Sequence, residues 1–176
     1  MDMYHVTRLI TLGATCGLFA LSLATAGELP QVGQKAPPVT LPSQDGSTVS
    51  LSDFHGKWVV LYFYPKDNTP GCTIEAHNFQ RDLSKYEEKN AVIVGVSVDS
   101  AESHKDFCTK QSLTFKLLAD AGKKVVAEYG SLRDNGMAQR NTFLIDSQGK
   151  IAKVWIGVKP PEHSDEVLAT LGELQK

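Results

Sequence analysis

Two stretches of the chain lack any charged position and are built from β-prone residues: Trp58-Val59-Val60-Leu61-Tyr62-Phe63-Tyr64, closed by Pro65, and Ala91-Val92-Ile93-Val94-Gly95-Val96-Ser97-Val98. Continuous apolar runs of this length predict strands buried on both faces. Between them the period changes from two to between three and four. Thr69 stands as a helix N-cap with Pro70 at the first helical position. Phe79, Leu83 and Tyr86 then follow at i, i+4 and i+7, which predicts one apolar helical face ending near Asn90. Asp99 and Glu102 predict a capped helix to about Gln111. Phe115–Leu118 predicts a short strand and Lys123–Tyr129 a short helix. Asn141–Ile145 and Ile151–Ile156 predict strands joined by the turn Asp146-Ser147-Gln148-Gly149. Pro160-Pro161 precedes a last helix with Val167, Leu168, Leu171 and Leu174 on one side. Upstream, Val39–Leu41 and Thr48–Leu51 flank Asp45-Gly46 as a small hairpin, and Ser52–Gly56 reads as a capped turn. The alternation of strand and helix predicts one α/β domain with a mixed central sheet flanked by helices and an N-terminal β-hairpin extension.

The first residues follow another pattern. Leu9 to Gly27 carry no charge, Arg8 precedes them, and Ala24-Thr25-Ala26 ends an apolar run. That order predicts a signal peptide over 1–26, leaving a domain over 27–176 that is exported to the periplasm. An uncleaved, outward-facing membrane anchor is the alternative. Cys16 lies inside this segment behind a poor lipoprotein box and is taken as incidental.

Composition narrows the function. Of 176 residues, 41% are hydrophobic and 22% charged, and 18 basic against 20 acidic side chains give a formal charge of −2. With no basic excess, nucleic acid is not an expected partner. Three cysteines are too few for a disulfide scaffold. The histidines at 5, 55, 77, 104 and 163 show no paired ligand spacing, and no glycine cluster forms a phosphate loop, so neither a metal nor a cofactor is expected.

Cys72 is the residue that stands out. It falls in the first turn of the helix that follows a buried strand, at the carboxyl edge of the sheet where open α/β folds place their sites. Free N–H groups and the partial positive charge at a helix N-terminus stabilise a thiolate. Lowering a thiol pKa from ~8.5 to ~6 multiplies its ionised fraction at pH 7 only about 30-fold. Large rates therefore need neighbours that hold the substrate and stabilise developing charge, such as an arginine and a hydroxyl.

Pro65-Lys66-Asp67-Asn68-Thr69-Pro70-Gly71-Cys72-Thr73 resembles the Pro-x-x-x-Thr-x-x-Cys motif of peroxiredoxins. The wider match, from Tyr62-Phe63-Tyr64-Pro65 through Cys72-Thr73-Ile74-Glu75-Ala76, is similar to the bacterioferritin comigratory protein branch, also called PrxQ. Ser103–Phe107, Phe115–Asp120 and Arg140–Asp146 extend the likeness over most of the chain after Gln31. The resemblance implies a thioredoxin-like fold and reduction of hydrogen peroxide and organic hydroperoxides. It makes Cys72 the peroxidatic cysteine, Thr69 the hydroxyl on thiolate and peroxide, Pro65 the shield against water, and Arg140 the supporting arginine, with Glu75 orienting it. Many members of this branch carry a resolving cysteine five residues after the first; here that position is His77. Other members carry it on the next helix, which makes Cys108 the candidate for an intramolecular disulfide with Cys72. The implied reductant is thioredoxin or a similar dithiol protein, and the implied oligomeric state is a monomer. A one-cysteine peroxidase, a thiol–disulfide oxidoreductase and a non-catalytic interaction domain remain the alternatives. The oxidoreductase normally needs Cys-x-x-Cys, which Cys72-Thr73-Ile74-Glu75 lacks.

Overall fold

A computed structural model describes residues 28–176, so the expected signal segment over 1–26 lies outside the described residues. Among the described residues, seven strands and five α-helices follow in the order β1 (Thr40–Pro42), β2 (Thr48–Ser50), β3 (Trp58–Phe63), α1 (Pro70–Arg81), α2 (Leu83–Glu88), β4 (Ala91–Ser97), α3 (Ala101–Gln111), β5 (Lys116–Ala119), α4 (Lys124–Glu128), β6 (Asn141–Ile145), β7 (Ile151–Ile156) and α5 (His163–Leu174). The main sheet has the order β5-β4-β3-β6-β7. Strands β3, β4 and β5 are parallel, while β6 runs antiparallel to both β3 and β7. Two parallel crossovers in the same direction, each right-handed, put their helices on one face. That face holds Val60, Tyr62 and Tyr64 of the β3 segment with Phe79, Tyr86, Phe107, Val167 and Leu171 from α1, α2, α3 and α5. The other face packs Val59, Leu61 and Phe63 against Val125 and Val126 of α4 and Leu41 and Val49 of the hairpin. The alternation along β3 thus feeds two cores, as a strand without charged positions requires.

The β1–β2 hairpin closes an otherwise open edge. Gln44 accepts a hydrogen bond from the Leu117 amide at 2.9 Å and donates to the Phe115 carbonyl at 2.9 Å, and Ser43 bridges to Leu118. The free side of β5 is therefore not left to pair with another chain.

Three local expectations are corrected. The helix after Thr69 is not continuous to Asn90: it breaks at Asp82, whose fully buried carboxylate accepts from Arg81, Lys85 and, at 2.9 Å, the Ser164 hydroxyl of α5. The apolar spacing runs through the break because Leu83 and Tyr86 still face the same core. The cap of α3 is Ser100, whose hydroxyl accepts from the Ser103 amide at 3.2 Å, and not Asp99, which serves another contact. Leu174, at the end of the α5 stripe, is exposed. Among the described residues, no helix is long and apolar enough to cross a membrane.

Candidate active site

Strand β3 delivers the chain to the carboxyl end of the sheet. Tyr64 is held by its amide on the Val96 carbonyl at 3.1 Å, Pro65 stops the ladder, and Asn68 turns the backbone through a positive φ of 57° into Thr69. Thr69 occupies the N-cap position, but its hydroxyl caps no backbone amide. Its Oγ1 lies 2.8 Å from Cys72 Sγ and 3.0 Å from the Lys66 carbonyl. One hydroxyl proton serves both: it goes to Lys66 when the sulfur is a thiol donating to Oγ1, and to the sulfur when that is a thiolate.

The second group on the sulfur comes from the opposite direction in sequence. Because β6 is antiparallel to β3, the start of β6 lies beside the end of β3. Arg140, the residue before β6, reaches across and places Nη2 3.1 Å from Cys72 Sγ. Its Nη1 donates to Glu75 Oε2 at 2.6 Å. Burial pushes the Glu75 carboxyl up to about 7, with Arg140 pulling it down. Glu75 Oε1 has no partner, so the single bond to Arg140 carries the whole orientation of that carboxylate. Gly71 makes the approach possible: a Cβ there would sit 2.9 Å from Arg140 Nη2.

The structure therefore brings Thr69, Cys72, Glu75 and Arg140 into direct contact. Pro65 does not touch the sulfur but lines, with Arg140, a neighbouring cavity of about 330 Å³ that also takes in Arg133, Gln139, Gly157 and Val158. A larger cavity, of about 710 Å³, lies at the opposite end of the sheet, among Pro37, Val39, Phe54, His55 and Ile145, and holds none of these residues. His77 is exposed on α1.

Cys108 sits in the last turns of α3, in the same apolar cluster as Cys72, and both thiols are free. No donor reaches its sulfur among the described contacts. Burial, and then the Asp67 carboxylate, push its thiol up to about 11.

Sequence reasoning missed the polar network between these two cysteines. Asp67 is buried in the loop before α1; its Oδ1 accepts from Tyr64 Oη at 2.7 Å, and its Oδ2 from Ser103 Oγ at 2.7 Å and His104 Nδ1 at 2.8 Å. The Asp67 amide donates to Asp99 Oδ2 at 3.0 Å, which is the contact that takes Asp99 away from capping. His104 Nε2 lies 3.1 Å from the Leu118 carbonyl of β5. The partners stand 36 and 37 residues apart, and no local spacing marks them.

A thioredoxin-type sheet carrying a cysteine in a helix's first turn, with a hydroxyl and a guanidinium on its sulfur, defines a cysteine-based redox protein. The AhpC/TSA family model matches residues 32–154, and the chain belongs to that family. It is 44% identical over 154 residues to Peroxiredoxin Bcp of Bacillus subtilis, covering 83% of this chain and 98% of that protein. It is also 44% identical over 146 residues to the chloroplastic Peroxiredoxin Q of Sedum lineare, covering 81% and 78%. The fold superimposes on PrxQ of Xylella fastidiosa with a TM-score of 0.80 at 34% identity, covering 85% of this chain and 100% of that one. BcpB of Mycobacterium tuberculosis gives 0.78 at 32% identity, covering 84% and 99%. The chain is accordingly a peroxidase of the thiol oxidoreductase class, with peroxide as oxidant and a thiol as reductant.

Proposed function

We propose that the protein reduces hydrogen peroxide and organic hydroperoxides in two chemical steps. The Cys72 thiolate attacks one peroxide oxygen, the O–O bond breaks, and the leaving oxygen takes a proton to depart as water or alcohol, leaving a sulfenic acid. The Cys108 thiol then attacks that sulfur, forming the Cys72–Cys108 disulfide and releasing water. The observation that carries the reading is the pair of donors on one sulfur, Thr69 Oγ1 at 2.8 Å and Arg140 Nη2 at 3.1 Å. Both groups can turn from the sulfur to the peroxide oxygens as negative charge moves from one to the other. Pro65, at the mouth, keeps bulk water from the reacting atoms. A solved relative, the bacterioferritin comigratory protein of Xanthomonas campestris, is described by its alkyl peroxide reduction activity, which supports alkyl hydroperoxides as substrates here.

A disulfide requires Cα atoms about 4.4–6.8 Å apart. Cys72 in the first turn of α1 and Cys108 near the end of α3 meet that requirement by unwinding, with Gly71 easing the change in α1. A thioredoxin-like dithiol protein returns the disulfide to two thiols. The signal pattern over residues 1–26 supports an exported, periplasmic enzyme, supplied there by a donor of that kind, and the monomer is the form in which it acts. The test is mass spectrometry of peroxide-treated protein. Wild type should lose two hydrogens and yield a peptide pair joining residues 72 and 108. Cys72→Ser should consume no peroxide, and Cys108→Ser should complete one turnover but not recycle with a dithiol donor. A Cys108→Ser enzyme that recycles at the wild-type rate would establish the one-cysteine reading instead.

A further inference from the structure

We propose that Asp67 and His104 are positioning residues for the second chemical step: together they latch the loop carrying Thr69 and Cys72 onto the helix carrying Cys108, and this latch must open before the two sulfurs can bond. The inference rests on the reading of Cys108 as the resolving cysteine. Neither residue touches the sulfurs or lines the mouth, so neither serves peroxide binding. Both are buried, His104 completely. Loop residues 65–69 run directly into the first turn of α1, and His104 lies one turn before Cys108 on α3. The two segments that must move are therefore joined to each other at this point.

The network is fully satisfied. Leu118 offers His104 Nε2 only a carbonyl, and Asp67 offers Nδ1 a carboxylate that the ring and hydroxyls hold below its ordinary range. With Tyr64 and Ser103 completing Asp67, three side chains converge on one carboxylate. Apolar packing yields gradually as a helix shifts, whereas a buried carboxylate cannot lose its partners one by one without being left unsatisfied. The latch thus makes the closed arrangement discrete. It delays the departure of the loop toward Cys108, while Thr69 and Arg140 by themselves hold the sulfur for the reaction with peroxide.

The experiment separates the two steps by stopped-flow fluorescence of Trp58 and Trp155, supported by quenched-flow mass spectrometry, on the full domain reduced beforehand. In Asp67→Asn, and more mildly in Ser103→Ala, the bimolecular reaction of Cys72 with hydrogen peroxide should stay within about twofold, while the first-order formation of the disulfide should rise. The expected rise is about tenfold for Asp67→Asn, the size of one lost charged hydrogen bond, and about threefold for Ser103→Ala. A faster second step also shortens the life of the sulfenic acid, so less sulfinic acid should accumulate at high peroxide. Ser103→Ala removes one hydroxyl from a half-buried position and keeps the test open where Asp67→Asn folds poorly. A disulfide rate unchanged or lowered in Ser103→Ala and in any folded Asp67→Asn would overturn the latch. Failure of the wild-type enzyme to form the 72–108 cross-link at all would instead overturn the Cys108 reading, and the two failures are told apart by the wild-type mass alone.

Discussion

The molecule holds two buried cysteines in one apolar cluster, and their surroundings are opposites. Cys72 is 1% exposed and has two hydrogen-bond donors on its sulfur. Cys108 is 7% exposed, and its thiol is pushed up to about 11 by burial and a nearby carboxylate. Under the proposed roles, the difference teaches that reactivity does not follow access. It would follow which groups the fold aims at a sulfur: a helix start, a hydroxyl and a guanidinium in one case, an apolar cluster with a nearby acid in the other. On the proposed mechanism the same asymmetry would set the order of events, with Cys72 reacting first and the Cys108 thiol, raised by burial, second.

The strongest way to erase the contrast is Arg140→Met, which takes the guanidinium from Cys72 and leaves Glu75 buried without its partner. The kcat/KM for hydrogen peroxide should fall about 10²–10³-fold, the usual cost of removing one preorganised donor from a site of developing charge. A loss below fivefold in a folded variant would mean that the arginine does not act on the reacting atoms.

A second change sharpens the role of Glu75. Burial pushes its carboxyl up to about 7. Protonation as the pH falls through that value removes the charge that holds Arg140, so kcat/KM should fall with it. Stability should run the other way. A carboxyl raised above its ordinary 4.5 in the folded state contributes stability that is full below 4.5 and is lost as pH rises through about 7. In Glu75→Gln both dependences should flatten, measured by peroxide kinetics and by chemical denaturation between pH 5 and 8. An unchanged profile would assign the titration to another group.

The smallest effect is a difference in labelling order. With iodoacetamide at pH 8, Cys72 should alkylate at least about tenfold faster than Cys108, read by peptide mass, since the thiolate is the nucleophile. If Cys108, the more exposed of the two, labelled first, access would govern and the contrast drawn above would fail.

Much of this was legible in the chain itself. The central strands were, because runs such as Trp58–Tyr64 and Ala91–Val98 have only one way to be buried. Cys72 was, because a cap, a proline and a strand end fall within a few residues of it, whereas Thr69 and Pro65 read locally only as a cap and a strand stop and gained a site role through the resemblance. Arg140 was legible only through resemblance, since 68 residues separate it from Cys72 and the contact depends on strand order. The break at Asp82 was not, because the apolar period continues across it and the cause is a partner on α5. Asp67 was not either: it occupies an unspecified place in the motif, and its meaning lies in a histidine on another helix.

The mixed sheet has one further consequence. Cys72 is made early and meets its guanidinium only when β6 docks against β3, after a further 68 residues of synthesis. A chain still emerging from the ribosome thus carries the sulfur without the guanidinium that contacts it in the fold. On the function proposed above, the competence to react with peroxide would arrive with the closing strands of the fold.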